Sequence, residues 1–138
     1  MQSNFKLKDH HAIELGGHHL DLHNVFDFAG FEFDNNTKVI VLKWSRGKGE
    51  WVPENAPKEL TLTIENVNYI QLLPPDTDAL SSDDACLLDF TYFPSNEREQ
   101  NEHLTLQSYP EEGDDMIFTF VSGRVIRVGG DKVTCNII

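Results

Sequence analysis

Basic residues are scarce in this chain of 138 residues: eleven lysines and arginines stand against 23 aspartates and glutamates, for a formal charge of −12. An anionic excess of that size repels phosphates and argues against nucleic acid as a partner. The one basic cluster, Lys43, Arg46 and Lys48, lacks the interleaved aromatics of strand-binding grooves. Long apolar runs are missing too. No stretch reaches the about eighteen residues needed to span a membrane as a helix, so no membrane partner is expected. The opening segment Met1 to Asp9 meets lysines within its first nine residues and holds no apolar signal core, so a cytoplasmic location is expected. Cysteine is limited to Cys86 and Cys135, both in apolar, strand-like surroundings. Two buried free thiols fit that setting better than a disulfide or a nucleophile.

Catalytic signatures are equally thin. The chain has no Gly-x-Ser-x-Gly elbow, no phosphate loop, no His-Glu-x-x-His and no dinucleotide fingerprint. With 23 carboxylates, a pair suited to acid–base work arises by chance in almost any cleft and carries no weight. The reading leans away from an enzyme, and it implies no cofactor.

What is present is period-two patterning. Leu60-Thr-Leu-Thr-Ile-Glu65 alternates apolar and polar, as a strand with one buried face does. Val39 to Trp44 is apolar on both faces and reads as a central strand covered on both sides. Cys86–Phe93, His103–Tyr109, Met116–Val121, Arg124–Val128 and Lys132–Ile137 follow as strands. Glycine-bearing turns join the last three, predicting a C-terminal meander. Phe26 and Phe28 have one strand parity, Phe31 and Phe33 the other. One extra residue at Ala29-Gly30, a β-bulge, returns all four to one face. Ser81-Ser-Asp-Asp84 suits a single helical turn. The length fits one domain over residues 1–138. Eight or nine strands with almost no helix predict an all-β fold, an antiparallel β-sandwich, with a partly open barrel as the alternative.

The charge is segregated along the chain. Between Asp76 and Asp115, twelve acids face one base, Arg98, for a net −11; elsewhere eleven acids face ten bases, for −1. If the strands from Cys86 onward run up and down in order, Asp76, Asp78, Asp83 and Asp84 fall at the same end as Glu111, Glu112, Asp114 and Asp115. Asp131 joins them there, and Glu97, Glu99 and Glu102 lie opposite with Arg98. Such a rim serves as a solubilising fringe, as a steering surface for a basic protein partner, or as a calcium site. Asp76-Thr-Asp78 starts as a calcium loop does, but Leu80 stands at the next ligand position and the glycine and distal glutamate are missing.

Two further groups are candidates. His19, Asp21 and His23 alternate with Leu20 and Leu22, and such a row binds zinc when another ligand closes the shell, though a histidine-rich polar face is the commoner outcome. Trp44 reads as core. Trp51, in a Gly/Pro loop, either packs, stacks on a sugar or anchors a partner, as Tyr109 also can.

Phe31-Glu-Phe33, Val41 to Trp44, Leu60 to Val67, Phe118 to Gly123 and Val125 to Val128 together resemble small, uncharacterised bacterial all-β proteins, some associated with toxin-immunity loci. The resemblance implies a non-enzymatic, immunity-type protein and no catalytic residue. The expectation is therefore a protein-binding sandwich that docks a basic partner through Asp76, Asp78, Asp83, Asp84, Glu111, Glu112, Asp114, Asp115 and Trp51. The alternative is a module binding a small ligand, calcium or zinc. A homodimer through an uncovered edge stays open.

Overall fold

The computed structural model describes residues 1–138. It contains twelve strands in three sheets, mostly antiparallel and none closed into a barrel. The first sheet has the order β1 (Gln2–Ser3), β12 (Lys132–Ile137), β7 (Glu59–Glu65), β6 (Val39–Arg46), β5 (Phe26–Asp34). The second runs β8 (Tyr69–Leu73), β11 (Val125–Gly129), β10 (Asp114–Phe120), β9 (Leu87–Pro94). A small third sheet holds β2 (Lys6–Lys8), β3 (Ala12–Leu15) and β4 (His18–Asp21). The all-β sandwich expectation holds, with more and shorter strands than the eight or nine foreseen.

All three sheets contribute to one core of 24 buried residues. Leu60, Leu62 and Ile64 of β7, alternating with threonines, turn inward with Ile40, Leu42 and Trp44 of β6. Phe28 lies 5.0 Å from Trp44 and 4.8 Å from Phe120, ring centre to ring centre, so aromatics knit the two larger sheets. Leu7, Ile13 and Leu20, with Leu22 just beyond β4, bring the third sheet onto the same interior.

The bulge falls where the phenylalanine parity places it. Phe28 pairs with Trp44 and Gly30 with Lys43, so Ala29 is the extra residue. Phe26, Phe28, Phe31 and Phe33 then face Arg46, Trp44, Leu42 and Ile40 in register. Gly30 carries a φ of 116°, a conformation that strongly favours glycine. The helical turn α1 also forms, over Ser81–Asp84.

Four expectations change. β6 is an interior strand, next to the β5 edge with β7 at the centre, and is covered on one face only: Val39 and Val41 are half-buried and Lys43 is exposed. β10 and β11 form a hairpin, but β12 pairs with β7, so the last glycine turn crosses from one sheet to the other. His103–Tyr109 forms no strand. That segment lies over the outer face of the second sheet, where the Thr91 hydroxyl donates to the Thr105 carbonyl at 3.0 Å and accepts from the Gln107 amide at 3.1 Å. Finally, β4 stops at Asp21, so His23 lies beyond the strand that carries His19.

Candidate functional site

The loss of a strand at His103–Tyr109 decides where the acidic residues go. β9 pairs directly with β10, Asp114 opposite Pro94 and Phe120 opposite Leu87. The segments before β9 and before β10 therefore lie at opposite ends of the sheet. The expected common rim does not form: Asp76, Asp78, Asp83 and Asp84 occupy one pole, and Glu111, Glu112, Asp114 and Asp115 the other. Seven residues of β10 separate them by about 20 Å, at a rise of ~3.3 Å per residue. That exceeds the Debye length of about 8 Å in physiological salt, so the poles act as separate charges. Glu97 and Arg98 sit at the Glu111 pole, not opposite it, because Arg98 reaches Asp115.

At that pole Asp115 is buried and bonds two arginines. Arg98 grips it with Nε and Nη2, both at 2.9 Å, and the guanidinium lies 3.8 Å above the Tyr69 ring. Arg127 Nε donates to the same carboxylate at 2.8 Å. Arg127 is fully buried on β11 and donates onward to the Pro94 carbonyl at 3.0 Å and the Gln100 carbonyl at 2.8 Å. This arginine ties the long β9–β10 connection to the sheet. Asp114, also buried, accepts from the Gln107 side chain at 2.6 Å and the Glu111 amide at 2.7 Å. Asp114 and Asp115 are thus internal parts of the fold and no contact surface for a partner.

Glu111 and Glu112 are exposed and take part in no ion pair. Asp131 is exposed, and its carboxylate accepts only from the Asn66 side-chain amide, at 2.9 Å. Glu112 and Asp131 border a polar cleft of about 440 Å³, whose wall also includes Asn68, Ser95, Arg98 and Gly130.

At the other pole, Arg124 grips Asp84 with Nε and Nη2, both at 2.7 Å, and the Ser122 hydroxyl adds a third bond at 2.9 Å. The Arg124 guanidinium holds the Asp84 carboxyl below its ordinary value despite partial burial. Asp83 accepts from the Leu80 amide at 3.4 Å at the start of α1. Asp76 and Asp78 remain exposed and unpaired.

Trp51 is 73% exposed, yet it is held. Its indole N–H donates to the Asn24 carbonyl at 2.7 Å, and its ring lies against Gly49, where any β-carbon would collide with it. The result is a fixed aromatic face toward solvent. Tyr109 is likewise exposed, at 60%.

The histidines do not assemble a metal shell. His11 Nδ1 lies 3.2 Å from Asp21, which also accepts from the His23 and Asn24 amides. His19 is exposed, whereas His23 Nδ1 is 2.6 Å from the Leu87 carbonyl. No group of three or more His, Cys, Asp or Glu side chains is placed to hold a metal ion. A carbonyl only accepts, so His23 Nδ1 carries its proton and cannot take one from Cys86, whose Sγ is 3.4 Å away. Burial pushes the Cys86 thiol up, and Asp27, Asp83 and Asp21 add to the effect. Cys135 is buried, its pKa raised by desolvation to about 12. Both cysteines are free thiols and neither is activated.

Arg127 and Arg124 are the residues whose pairing sequence reasoning missed, and Arg98 is one that it placed at the wrong end. A lone arginine between Ile126 and Val128 in an apolar strand is a signal for a buried ion pair, because such a charge needs a partner. No helix of the protein is long and apolar enough to cross a membrane. Comparison with protein-family models, curated proteins and solved structures returns no match to this chain.

Proposed function

We propose that this protein is a non-enzymatic binding domain that docks a basic protein partner through the carboxylates its own fold leaves unpaired. The observation that carries this reading is the division of the acids into two kinds. Asp84, Asp114 and Asp115 are bonded internally, whereas at the same two poles the side chains of Asp76, Asp78, Glu111, Glu112 and Asp131 stand exposed and in no ion pair, the Met1 ammonium meeting only the Glu111 carbonyl. Unpaired exposed carboxylates raise the association rate of a cationic partner and lose that effect in salt. Trp51, already held in place, adds a contact surface with little ordering cost. An immunity-type role, as the strand and turn resemblance implies, suits such a surface.

The test is a titration of isotope-labelled protein with decalysine, followed by amide chemical shifts at low and high salt. The reading expects shifts concentrated at Asp76, Asp78, Glu111, Glu112 and Asp131, abolished in high salt. Shifts spread evenly over the surface, or none, would overturn it.

A further inference from the structure

We infer that the partner is engaged as an extended segment of alternating basic and apolar residues adding to the free edge of β8. This inference rests on the docking reading above and assigns the element that performs it. The edges of the two larger sheets differ in how they are protected. β1 is two residues long. β5 is bulged at Ala29 and carries Asp27, Glu32 and Asp34. β9 is met by the third sheet's hairpin, whose His10 carbonyl accepts from the Phe90 amide at 2.8 Å.

β8 has none of these devices along its length. Tyr69-Ile-Gln-Leu-Leu73 contains no charge, pairs only with β11, and leaves Leu72 51% and Leu73 39% exposed. An uncharged, unbulged edge with exposed leucines is a template for another strand.

Charge complementarity names the occupant. β8 runs from one pole to the other: Asn68, just before it, lines the cleft bordered by Glu112 and Asp131, and Asp76 and Asp78 follow it. Asn101, between the exposed Glu99 and Glu102, bonds Gln71 of β8 at 3.1 Å and so brings acids alongside the strand. A segment lying along β8 therefore meets carboxylates at both ends and, through the Glu99–Glu102 stretch, beside the middle of an otherwise uncharged strand. A second copy of this chain would bring acid against acid, and is disfavoured.

The test uses a ten-residue peptide of alternating lysine and valine, with amide hydrogen exchange read on the intact protein. The expected result is at least tenfold slower exchange at those Tyr69–Leu73 amides that face away from β11, with β5 unchanged. Leu72→Lys, at a half-exposed position, should abolish that protection without lowering the melting temperature. A peptide of alternating glutamate and valine should give no protection. If decalysine maps to the unpaired carboxylates but the alternating peptide leaves β8 exchange unchanged, the edge inference falls and the docking reading stands. If neither peptide binds, both fall.

Discussion

Arg127 shows how a single residue organises this molecule. It is fully buried, and its bonds to Asp115 and to the Pro94 and Gln100 carbonyls join two strands and a long connection. Replacing it with methionine keeps the apolar stem but leaves the Pro94 and Gln100 carbonyls without their guanidinium donor and Asp115 with Arg98 alone. Breaking a buried ion pair on one side costs about 3–5 kcal/mol. The expected outcome for Arg127→Met is a loss of that size in urea denaturation, whereas Glu112→Gln should stay within about 0.5 kcal/mol of the parent. Equal effects would contradict the division between internal and free carboxylates.

Acid titration reads the same distinction. Asp84, held below its ordinary 3.8 by Arg124, contributes stability that is complete above that pH and lost as pH falls through its lower folded value. Asp21 behaves alike: burial raises its pKa, but the bonds from Asn24 and His23 together with nearby His11 outweigh burial and the net direction is down. Stability should therefore fall below about pH 4. Arg124→Met should reduce that fall, measured as unfolding free energy between about pH 2 and 5. An unchanged acid limb in the variant would refute the assignment to the Asp84 pair.

At the scale of elements, the bulge and the covering segment make opposite cases. Phenylalanines at 26, 28, 31 and 33 with glycine at 30 made the bulge legible, because four large aromatics cannot straddle a sheet with one wet face. Nothing lies within 4 Å of a β-carbon added at Gly30, so Gly30→Ala tests backbone conformation alone. At a φ of 116° it should cost about 1–3 kcal/mol in thermal or urea unfolding. A neutral substitution would mean the bulge relaxes freely.

His103–Tyr109 was not legible as a covering segment. Its alternation is real, with Leu104 and Leu106 less exposed than Thr105 and His103. Period two, however, reports which side chains turn inward and not whether a neighbouring strand exists. The Thr91 side chain takes the role a ladder would have played. Thr91→Val should speed exchange of the Gln107 amide at least tenfold while leaving β10 amides unchanged; equal protection in both proteins would show that Thr91 does not anchor the segment.

For the whole molecule, the sandwich and the location of its charge along the chain could be read from composition and periodicity. The placement of that charge in space could not. One strand fewer between β9 and β10 reverses the end to which the Glu111 segment goes, and a single rim becomes two poles. Pairing was invisible for a related reason. Arg98 and Asp115 are seventeen residues apart, and Arg124 and Asp84 forty, so only the tertiary fold shows which carboxylates are engaged. At its two poles the fold leaves Asp76, Asp78, Glu111, Glu112 and Asp131 exposed near the ends of an uncharged edge strand, while other exposed acids, among them Glu32, Glu50 and Glu54, lie on other elements. The most direct measurement is the affinity for decalysine, at low salt, of a variant carrying Asp76→Asn, Asp78→Asn, Glu111→Gln, Glu112→Gln and Asp131→Asn. The account predicts binding at least tenfold weaker than the parent with an unchanged melting temperature; parental affinity in that variant would contradict it.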